Sequence, residues 1–510
     1  MEPILSREQS RQADKIAIEQ IGIPESVLME HAALAIVSAL EDRFGKLLPK
    51  TNGAIAVGPG NNGGDGLACA RLLWERGCRQ IRVLLILSPA KFSGSAEVQF
   101  KILQKLAIPY EVSLKGNPFF NCDWIIDGIL GTGLTRPVQG EMLAAIESVN
   151  ESSQNGQKWV VAIDIPSGLN ADTGNPLGDA VRACETVALG FLKKGLVTGL
   201  AANFTGKLRL ATIQIPRNLA ENVCDTYAFG AADVELPKRP SVSHKGTFGH
   251  VYIWAGAAEK QGASALTAMA ALRMGTGHAT VIGDKNSLEA FRPRLPKEIM
   301  TEVFTPNFCA EKSGATGAFG PGMGDSPESW AILKAALKSD WKLVLDADAL
   351  TVFSHHKDEA KALLAARDPK NTILTPHPKE AARLSGKTVE EIQSDRYSFL
   401  NFMTEQWHAS LILKGKGSLI KTPGSKTLVV TEGNSGLAKG GTGDILTGIV
   451  ASLLAQGLPA IAAMPTACYI EGRASEMLAQ RLGSERTMVG SDIADSLPEV
   501  LAELESLSCK

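Results

Sequence analysis

The segment NSGLAKGGTGD, residues 434–444, runs directly into ILTGIVASLLAQG, residues 445–457, and is the strongest fold signal in the chain. In the second part, Ile445, Gly448, Ile449, Ser452 and Leu453 recur at intervals of three and four residues, and most other positions are also apolar. This spacing predicts a well-buried helix that begins at a glycine-rich turn.

The glycine-rich turn itself predicts a site for a phosphate group. Gly440, Gly441 and Gly443 would expose backbone N–H groups to an anion, and a helix N-terminus adds partial positive charge. Asp444 would then lie in the first turn, where it could accept a proton from an attacking hydroxyl. A simple helix cap is the alternative, but three glycines in four positions are costly for a cap alone.

Short apolar runs with the composition of buried parallel strands surround this helix throughout the second half of the chain. They cover residues 251–255, 279–282, 343–345, 372–374 and 411–413. The first half shows the same alternation, with strands expected at 54–57, 81–87, 124–126 and 159–163, and helices at 67–76 and 95–106. Both halves are therefore predicted to be three-layer α/β/α structures.

The segment DVELPKRPSVS, residues 233–243, separates the two series and carries two prolines but no periodic apolar face. It predicts a linker. We expect a first domain over residues 1–225, a linker over 226–243 and a second domain over 244–510.

Three glycine-rich loops in the first half follow predicted strands. GPGNNGGDG, residues 58–66, fits neither the GxGxxG fingerprint nor a lysine-containing phosphate loop. A plain turn is possible, but Asn61, Asn62 and Asp65 add oxygens that a turn does not need. Asp127 starts DGILGTGLTRP and Asp164 starts DIPSGLNADTG. One such aspartate could cap a helix, whereas matching loops at three strand ends favour a shared site.

The composition excludes several classes of protein. Across 510 residues the net charge is −2, and 44% of the residues are hydrophobic, which argues against nucleic acid or an anionic membrane as a partner. The polar start is not typical of a secretory signal, and no apolar run reaches the ~18 residues that a membrane span needs. The eight cysteines form no CxxC pair and are expected to be reduced, which predicts a cytoplasmic protein.

The first half resembles the NAD(P)H-hydrate epimerase family in its three loops and in GFLKKGLVTGLAANFTGKLRLATIQIP, residues 190–216. The resemblance implies a Rossmann-like domain with a K⁺ ion bound by Asn62, Asp127 and Ser167. It implies substrate contacts from Asn61, Asn62, Gly63, Gly64, Asp65, Gly131, Thr132, Gly133, Leu134, Thr135, Arg136, Pro137 and Asp164. Leu130 stands where relatives often carry phenylalanine, which puts a ring contact in doubt.

The second half resembles the ribokinase-like superfamily and, within it, the ADP-dependent NAD(P)H-hydrate dehydratase family. The motifs are HKGTFGHV (244–251), FGPGMG (319–324), LDADAL (345–350), TPHPKEAARL (375–384) and ILKGKGS (412–418). The implied nucleotide contacts are Lys414, Gly415, Lys416, Gly417, Ser418, Gly440, Gly441, Thr442 and Gly443. The implied hydrate contacts are Ala263, Gly322, His377 and Asp444, with ADP and Mg²⁺ as cosubstrate and cofactor.

Some of these residues have a structural alternative. The segment AGAAEKQGAS, residues 255–264, departs from the glycine-richer loop of relatives, so Ala263 is the least secure contact. His377 lies between two prolines and could be a loop histidine with its hydrogen bonds satisfied. Asp346 and Asp348 could be structural or could belong to a metal site.

Together, the resemblances imply metabolite repair of hydrated NADH and NADPH. The first domain would interconvert the R and S hydrates, with Asp164 as acid/base, and the second would dehydrate the S form with ADP, releasing AMP and phosphate. A homo-oligomer is expected. Two alternatives stay open: a vitamin or sugar kinase that shares the GTGD turn, and a first domain that only binds or scaffolds.

Overall fold

The computed structural model describes residues 1–112, 118–153, 158–254, 257 and 259–508. These residues form two compact units, one of residues 3–226 and the other of residues 1–2 with 227–510. Ala255, the end of one predicted strand, and Cys509 lie outside the described residues. The seven described cysteines are unpaired thiols.

The part of the chain up to residue 225 contains nine strands and seven helices within the described residues. The strands are β1 (Glu2–Leu5), β2 (Gly53–Val57), β3 (Ile81–Leu85), β4 (Tyr110–Val112), β5 (Trp124–Gly128), β6 (Trp159–Ile163), β7 (Glu185–Leu189), β8 (Leu192–Lys193) and β9 (Lys207–Ala211). The helices are α1 (Arg7–Lys15), α2 (Glu25–Phe44), α3 (Asn61–Glu75), α4 (Gly94–Lys105), α5 (Gly140–Ser153), α6 (Ala202–Thr205) and α7 (Arg217–Glu221).

The sheet of the first unit has the strand order β4-β3-β2-β5-β6-β7-β9, and every pairing is parallel. Alternate residues of β2 enter different cores: Ile55 and Val57 pack with α2, α3 and α4, and Ala54 and Ala56 pack with α5. Both faces are therefore covered, as a three-layer fold requires. The chain changes direction across the sheet between β2 and β5, which opens a crevice there.

The second unit is built in the same way. Its remaining strands are β10 (Thr226–Ala228), β11 (His250–Trp254), β12 (His278–Gly283), β13 (Met300–Val303), β14 (Thr316–Phe319), β15 (Lys342–Leu345), β16 (Thr372–Leu374), β17 (Ser410–Leu413), β18 (Ser418–Lys421) and β19 (Thr427–Val430). Its helices are α8 (Gln261–Arg273), α9 (Lys285–Phe291), α10 (Phe308–Glu311), α11 (Pro327–Leu337), α12 (Ala347–His355), α13 (Lys357–Ala365), α14 (Pro378–Ser385), α15 (Val389–Ser394), α16 (Arg396–Trp407), α17 (Thr442–Ala455), α18 (Ala460–Leu482) and α19 (Gly490–Ser508).

The sheet of this unit runs in the order β13-β12-β11-β14-β15-β16-β17-β18-β19. The pairings from β13 to β17 are parallel, and β18 and β19 are added antiparallel. Consecutive residues of β15, Leu343, Val344 and Leu345, are all fully buried, so this sheet too is covered on both faces. The order in which the chain adds strands to the sheet reverses between β11 and β14. The two-domain α/β prediction is confirmed.

The predicted element boundaries differ from the observed ones in two informative places. The expected strand at 81–87 ends at Leu85, and the helix expected from residue 67 begins at Asn61. Because glycines lower helix propensity, the sequence predicts a loop for the NNGGDG stretch, whereas this stretch forms the first turns of α3. The segment expected as a linker, residues 226–243, begins with β10 at residues 226–228, whereas residues 234–244 contain no helix or strand.

Candidate active sites

A cavity of about 570 Å³ opens in the first unit, and we call it the first cavity. Its wall includes residues that follow β2, β5 and β6, together with residues of α1 and α2. It therefore lies at the carboxyl ends of the strands on both sides of the change of direction, where open α/β sheets bind ligands.

Eight of the residues implied as substrate contacts line the first cavity: Asn61, Asn62, Asp65, Gly131, Thr132, Gly133, Leu134 and Asp164. The other five, Gly63, Gly64, Thr135, Arg136 and Pro137, are not part of its wall. Gly63 has a packing reason instead, because a side-chain carbon there would overlap the carbonyl oxygen of Gly58. The glycine-rich loops predicted from the sequence thus converge on the first cavity, and at least one of their glycines, Gly63, also allows two backbone segments to pack closely.

Next to Asn62, which lines the first cavity, oxygen atoms of Asp127, Ser167 and Leu130 form a cluster. The Asp127 carboxylate accepts hydrogen bonds from the Ser167 backbone N–H at 2.8 Å and from the Ser167 hydroxyl at 2.5 Å. The Asn62 side-chain amide donates to the Leu130 carbonyl at 3.1 Å, and the Ser167 hydroxyl also contacts that carbonyl at 3.0 Å. The three residues implied as K⁺ ligands are therefore joined by one hydrogen-bond network.

Asp127 is fully buried, and burial raises its pKa to about 6, with the Ser167 hydrogen bonds opposing the rise. Within the described ranges, no basic side chain forms an ion pair with it. A buried carboxylate without a cationic partner is costly. Carboxylate, amide, hydroxyl and carbonyl oxygens together suit a hard cation with weak geometric demands, so the donor set fits K⁺.

Asp164 is held by an ion pair that the sequence motifs did not reveal. The buried Lys193 ammonium pairs with the Asp164 carboxylate, which also accepts from the Leu189 backbone N–H at 2.9 Å. Asp164 adopts φ +64°, a left-handed conformation that is rare for aspartate. Backbone strain of this kind is concentrated at functional sites.

Four further charged residues line the first cavity outside its three glycine-rich loops: Arg11, Asp14, Glu25 and Lys193. Glu25 accepts hydrogen bonds from the Asn61 side chain at 2.7 Å and from the Ser95 hydroxyl at 2.7 Å, so it holds Asn61 in place. Burial, reinforced by Asp164 and Glu25, raises the pKa of Asp65 well above its usual range. The first cavity is therefore rich in carboxyl groups, whose mutual repulsion favours protonation of Asp65.

The second unit has a cavity of about 470 Å³, the second cavity, which is more open to solvent. Five predicted site residues line it: Ala263, Gly322, Gly440, Gly441 and Asp444. Lys260, Ala347 and Asp348 join them, and Lys260 pairs with Asp348 at 2.9 Å. The glycine turn and three of the four implied hydrate contacts, distant in sequence, thus line the same cavity.

The glycine turn has the form that the sequence predicted. Helix α17 begins at Thr442, and its N-cap Gly441 has φ +97°, where a side chain is strained. A side-chain carbon at Gly441 would also come within 2.8 Å of Leu266. The turn therefore needs glycine, and it leaves the first N–H groups of α17 without helical partners.

Lys414 lies next to this turn in an ion pair with the buried Asp346, at 2.7 Å. The other Asp346 oxygen accepts from the Thr447 hydroxyl at 3.1 Å. Burial lowers the pKa of Lys414, but Asp346 and Glu380 outweigh it and raise the pKa overall. A side-chain carbon at Gly443 would lie 3.3 Å from Lys414 Nζ, so the ammonium is close to the turn.

Several carboxyl groups around Lys414 have raised pKa values. Burial raises the pKa of Asp444 to about 6, with Asp346 and Asp348 adding to the rise and Lys414 opposing it. Burial likewise raises the pKa of Glu380 to about 7 and that of Glu471 to about 8. Perturbed pKa values of this kind are typical of catalytic acids and bases.

The remaining implied nucleotide residues form a turn organised by Arg396, which is 2% exposed. Its guanidinium donates to the carbonyls of Leu413 at 3.0 Å, Lys414 at 3.2 Å and Lys416 at 2.8 Å. The Lys416 ammonium donates to the carbonyls of Thr431 and Gly433, both at 2.8 Å. Lys414, Gly415, Lys416, Gly417 and Ser418 do not line the second cavity.

His377 has a structural role in the fold, as the sequence left open. It is the N-cap of α14, and its Nδ1 accepts from the backbone N–H groups of Lys379 at 3.1 Å and Glu380 at 3.3 Å. It does not line the second cavity, so its contact with the hydrate stays a prediction.

The described residues contain no helix long and apolar enough to cross a membrane. Nor does that part of the chain bring together three or more His, Cys, Asp or Glu side chains able to hold a metal ion.

Two protein families match the chain. The family described as NAD(P)H-hydrate dehydratase matches residues 251–499, and the one described as YjeF-related protein N-terminus matches residues 25–195. The matches fall on the two halves that carry the two cavities. A crystal structure of ADP/ATP-dependent NAD(P)H-hydrate dehydratase from Bacillus subtilis, co-crystallised with ATP/Mg²⁺, is 30% identical and covers 53% of this chain and 94% of that one, with a TM-score of 0.46.

Full-length relatives carry both halves. The chain is 34% identical to the bifunctional NAD(P)H-hydrate repair enzyme Nnr of Moorella thermoacetica, over 97% of this chain and 96% of that protein. It is 32% identical to the enzyme of the same name from Coxiella burnetii, over 97% and 98% of the two chains. The identity extends across both units and leaves little of either protein unmatched. The chain belongs to the family of bifunctional NAD(P)H-hydrate repair enzymes.

Proposed function

We propose that the first cavity epimerises hydrated NADH and NADPH, the compounds written NAD(P)HX, and that the second cavity dehydrates the S epimer to NAD(P)H. One observation carries the proposal: a chain of this family contains two separate cavities, and each cavity combines a glycine-rich helix start with an aspartate. We assign the epimerase to residues 1–225 and the dehydratase to residues 244–510, with residues 226–243 as the linker.

In the first cavity, the hydrate carries a hydroxyl at C6, next to the ring nitrogen. The nitrogen lone pair can expel that hydroxyl, and return of water to the opposite face inverts the centre. Asp164 is the proposed proton-transfer group, because it lines the cavity and Lys193 fixes its carboxylate. Asn62, Asp127 and Ser167 would hold K⁺, which supplies positive charge beside the loops that contact the substrate.

In the second cavity, Asp444 takes the proton of the C6 hydroxyl while the oxygen attacks the β-phosphorus of ADP and AMP departs. Phosphate is a much better leaving group than hydroxide, so the ring nitrogen can then expel it. Loss of a proton from C5 restores the double bond, and the products are NAD(P)H, AMP, phosphate and a proton. The amides of Gly440, Gly441 and Gly443 are placed to stabilise the transferring phosphoryl group.

Lys414 to Ser418 would bind the adenine nucleotide, with Thr442 and Gly443 beside them, and Ala263, Gly322 and His377 would contact the hydrate. Mg²⁺ fits this site as an ion held mainly by phosphates and water. Asp346 is engaged by Lys414 and Thr447, and Asp348 by Lys260. Of the two, Asp348 lines the cavity and would be the protein ligand of Mg²⁺. We further propose that the enzyme works in the cytoplasm as a homo-oligomer, which light scattering of the purified protein tests.

The decisive experiment follows the recovery of reduced-cofactor absorbance from mixed R and S hydrates with ADP and Mg²⁺. The wild-type protein should convert the whole mixture. Asp164→Asn should stop once the S form is consumed, apart from spontaneous epimerisation. Asp444→Ala should recover no cofactor, with a loss on the order of 10²-fold or more, yet still interconvert the epimers.

The same assay separates the alternatives. A vitamin or sugar kinase would leave a stable phosphorylated product and recover no cofactor from the hydrate. A first domain that only binds would make wild type and Asp164→Asn indistinguishable. Full dehydratase turnover by Asp444→Ala would remove the role given to that residue.

A further inference from the structure

Helix α1 forms one wall of the first cavity. Ser10, Arg11 and Asp14 of this helix line the cavity, at the three- and four-residue spacing of one helical face, and Ile18 in the helical segment that follows α1 lines it too. This helix precedes residues 25–195, which the N-terminal family matches, and none of the glycine loops contains it. Its side chains therefore belong to the site without having been assigned any role there.

Asp14 is the acidic residue on this face. In the part of the chain that the structure describes, its carboxylate takes part in no hydrogen bond or ion pair, although charged groups surround it. It faces the open cavity, whereas Asp164 in the same cavity is engaged by Lys193 and by the Leu189 backbone. Asp164 is thus fixed as an ion pair, whereas the Asp14 carboxyl group is left available to a ligand.

We propose that Asp14 is a second catalytic residue of the epimerase, a general acid that works with Asp164 as the general base. The proposal rests on the epimerase function proposed above. Two carboxyl groups in different environments are a common way to obtain an acid and a base from one residue type.

The reaction balances with these two groups and water alone. Asp14 gives its proton to the C6 hydroxyl, the C–O bond breaks with its electrons on the departing water, and the nitrogen lone pair forms a C=N⁺ bond. A water molecule then adds to the opposite face of C6 and gives a proton to Asp164. The reverse reaction, or proton exchange with solvent, resets the pair. The surrounding carboxylates favour the cationic ring that exists between the two steps.

The electrostatic surroundings agree with this division of roles. Asp14 is exposed to the solvent of the open cavity, and desolvation by the surrounding wall raises its pKa to about 6; Lys193 opposes the rise, and Asp164 and Glu25 add to it. Asp65 and Arg11 also face this part of the cavity. A raised pKa lets this carboxyl group keep its proton more often than an ordinary aspartate does.

The test compares Asp14→Asn with the wild type by the rate at which purified R hydrate becomes S hydrate. We expect kcat/KM to fall about 100-fold, with hydrate binding and dehydratase turnover unchanged. Wild-type kcat/KM should decline as the pH rises above about 6, since the acid loses its proton. This decline is the high-pH limb of the pH–rate profile, and it should be absent in Asp14→Asn. Asp14→Glu should restore part of the rate and the limb.

Glu8→Gln is the matched control, because Glu8 lies on the exposed side of α1 and outside the cavity wall. It should behave as wild type. The proposal is overturned if Asp14→Asn keeps its rate within about threefold of the wild type or retains the limb. The proposal is also overturned if the high-pH limb persists in Asp14→Asn but disappears in Asp65→Asn. Absence of epimerisation in the wild type would instead refute the proposed function.

Discussion

Asp164 and Asp444 show how one residue type acquires two roles from its surroundings. Asp164 follows a strand and is neutralised by Lys193, whereas Asp444 lies in the first turn of α17 near Asp346 and Asp348. Burial, with the like charges adding to it, raises the pKa of Asp444 to about 6. An aspartate with this pKa is a stronger base than an ordinary one, which suits it to take a proton from a hydroxyl.

The pH dependence of the dehydratase follows from that value. A general base must be ionised, so kcat/KM should fall about tenfold for each pH unit below about 6. An unperturbed aspartate would keep its charge to about pH 4. The measurement is cofactor recovery from S hydrate between pH 4.5 and 8. Enzyme returned to neutral pH must regain its rate, and a rate that stays flat down to pH 5 would contradict the role of Asp444.

Not all residues of the two sites could be predicted from the sequence. Asp127 and Asp164 were predicted because an acidic residue at a strand end, before a glycine loop, has a local signature. Asp14 and Arg396 have none, because they lie in ordinary helices. Lys193 lies in the quoted segment 190–216, but nothing local marks it as the partner of Asp164. Only the fold brings them to the sites.

Helices α3 and α17 use their glycines differently at the scale of the element. In α3 the glycines lie inside the first turns, where Gly63 lets the helix approach the Gly58 backbone. In α17 the N-cap Gly441 shapes the turn before the helix. The sequence predicted both helices but placed the start of α3 too late, because close packing outweighed the low helix propensity of glycine.

Gly441→Ala tests the turn of α17. The substituted turn must relieve a strained φ and a 2.8 Å approach to Leu266, which displaces the amides from the phosphoryl group. We expect dehydratase kcat to fall about 100-fold, while epimerisation stays unchanged. Gly457→Ala is the control, because Gly457 has φ +100° after the other end of α17 and no atom near its side-chain position. If both variants lose activity equally, the loss reflects strain alone.

Arg396→Lys tests the turn over residues 413–416. Lysine cannot reproduce the planar fork that reaches three carbonyls, so the turn should lose its fixed shape. We expect KM for ADP to rise about tenfold, with a smaller change in kcat. Arg383→Lys is the matched control, since Arg383 is exposed and contacts only the Thr351 hydroxyl among the described hydrogen bonds. An unchanged KM for ADP would show that the turn does not need Arg396.

The sequence predicted the two-domain α/β architecture because buried parallel strands are apolar on both faces and stand out. The less buried strands β4 and β13, the buried strands β7 and β14, and the antiparallel addition of β18 and β19 were not predicted. These are short segments whose pairing depends on neighbours far along the chain. At this scale the sequence does not determine which short segments join the sheet.

Each unit has its own hydrophobic core, so the two activities should not require a continuous chain. A protease site inserted after Pro240, where the following residues are exposed and neither helical nor extended, allows the purified protein to be cut. Epimerase and dehydratase rates should each stay within about twofold of those of the uncut insertion protein, because the cut leaves both cores and both cavities unchanged. Loss of one activity on cutting would show that one cavity depends on chain continuity through this segment, and it would remove the boundary proposed here.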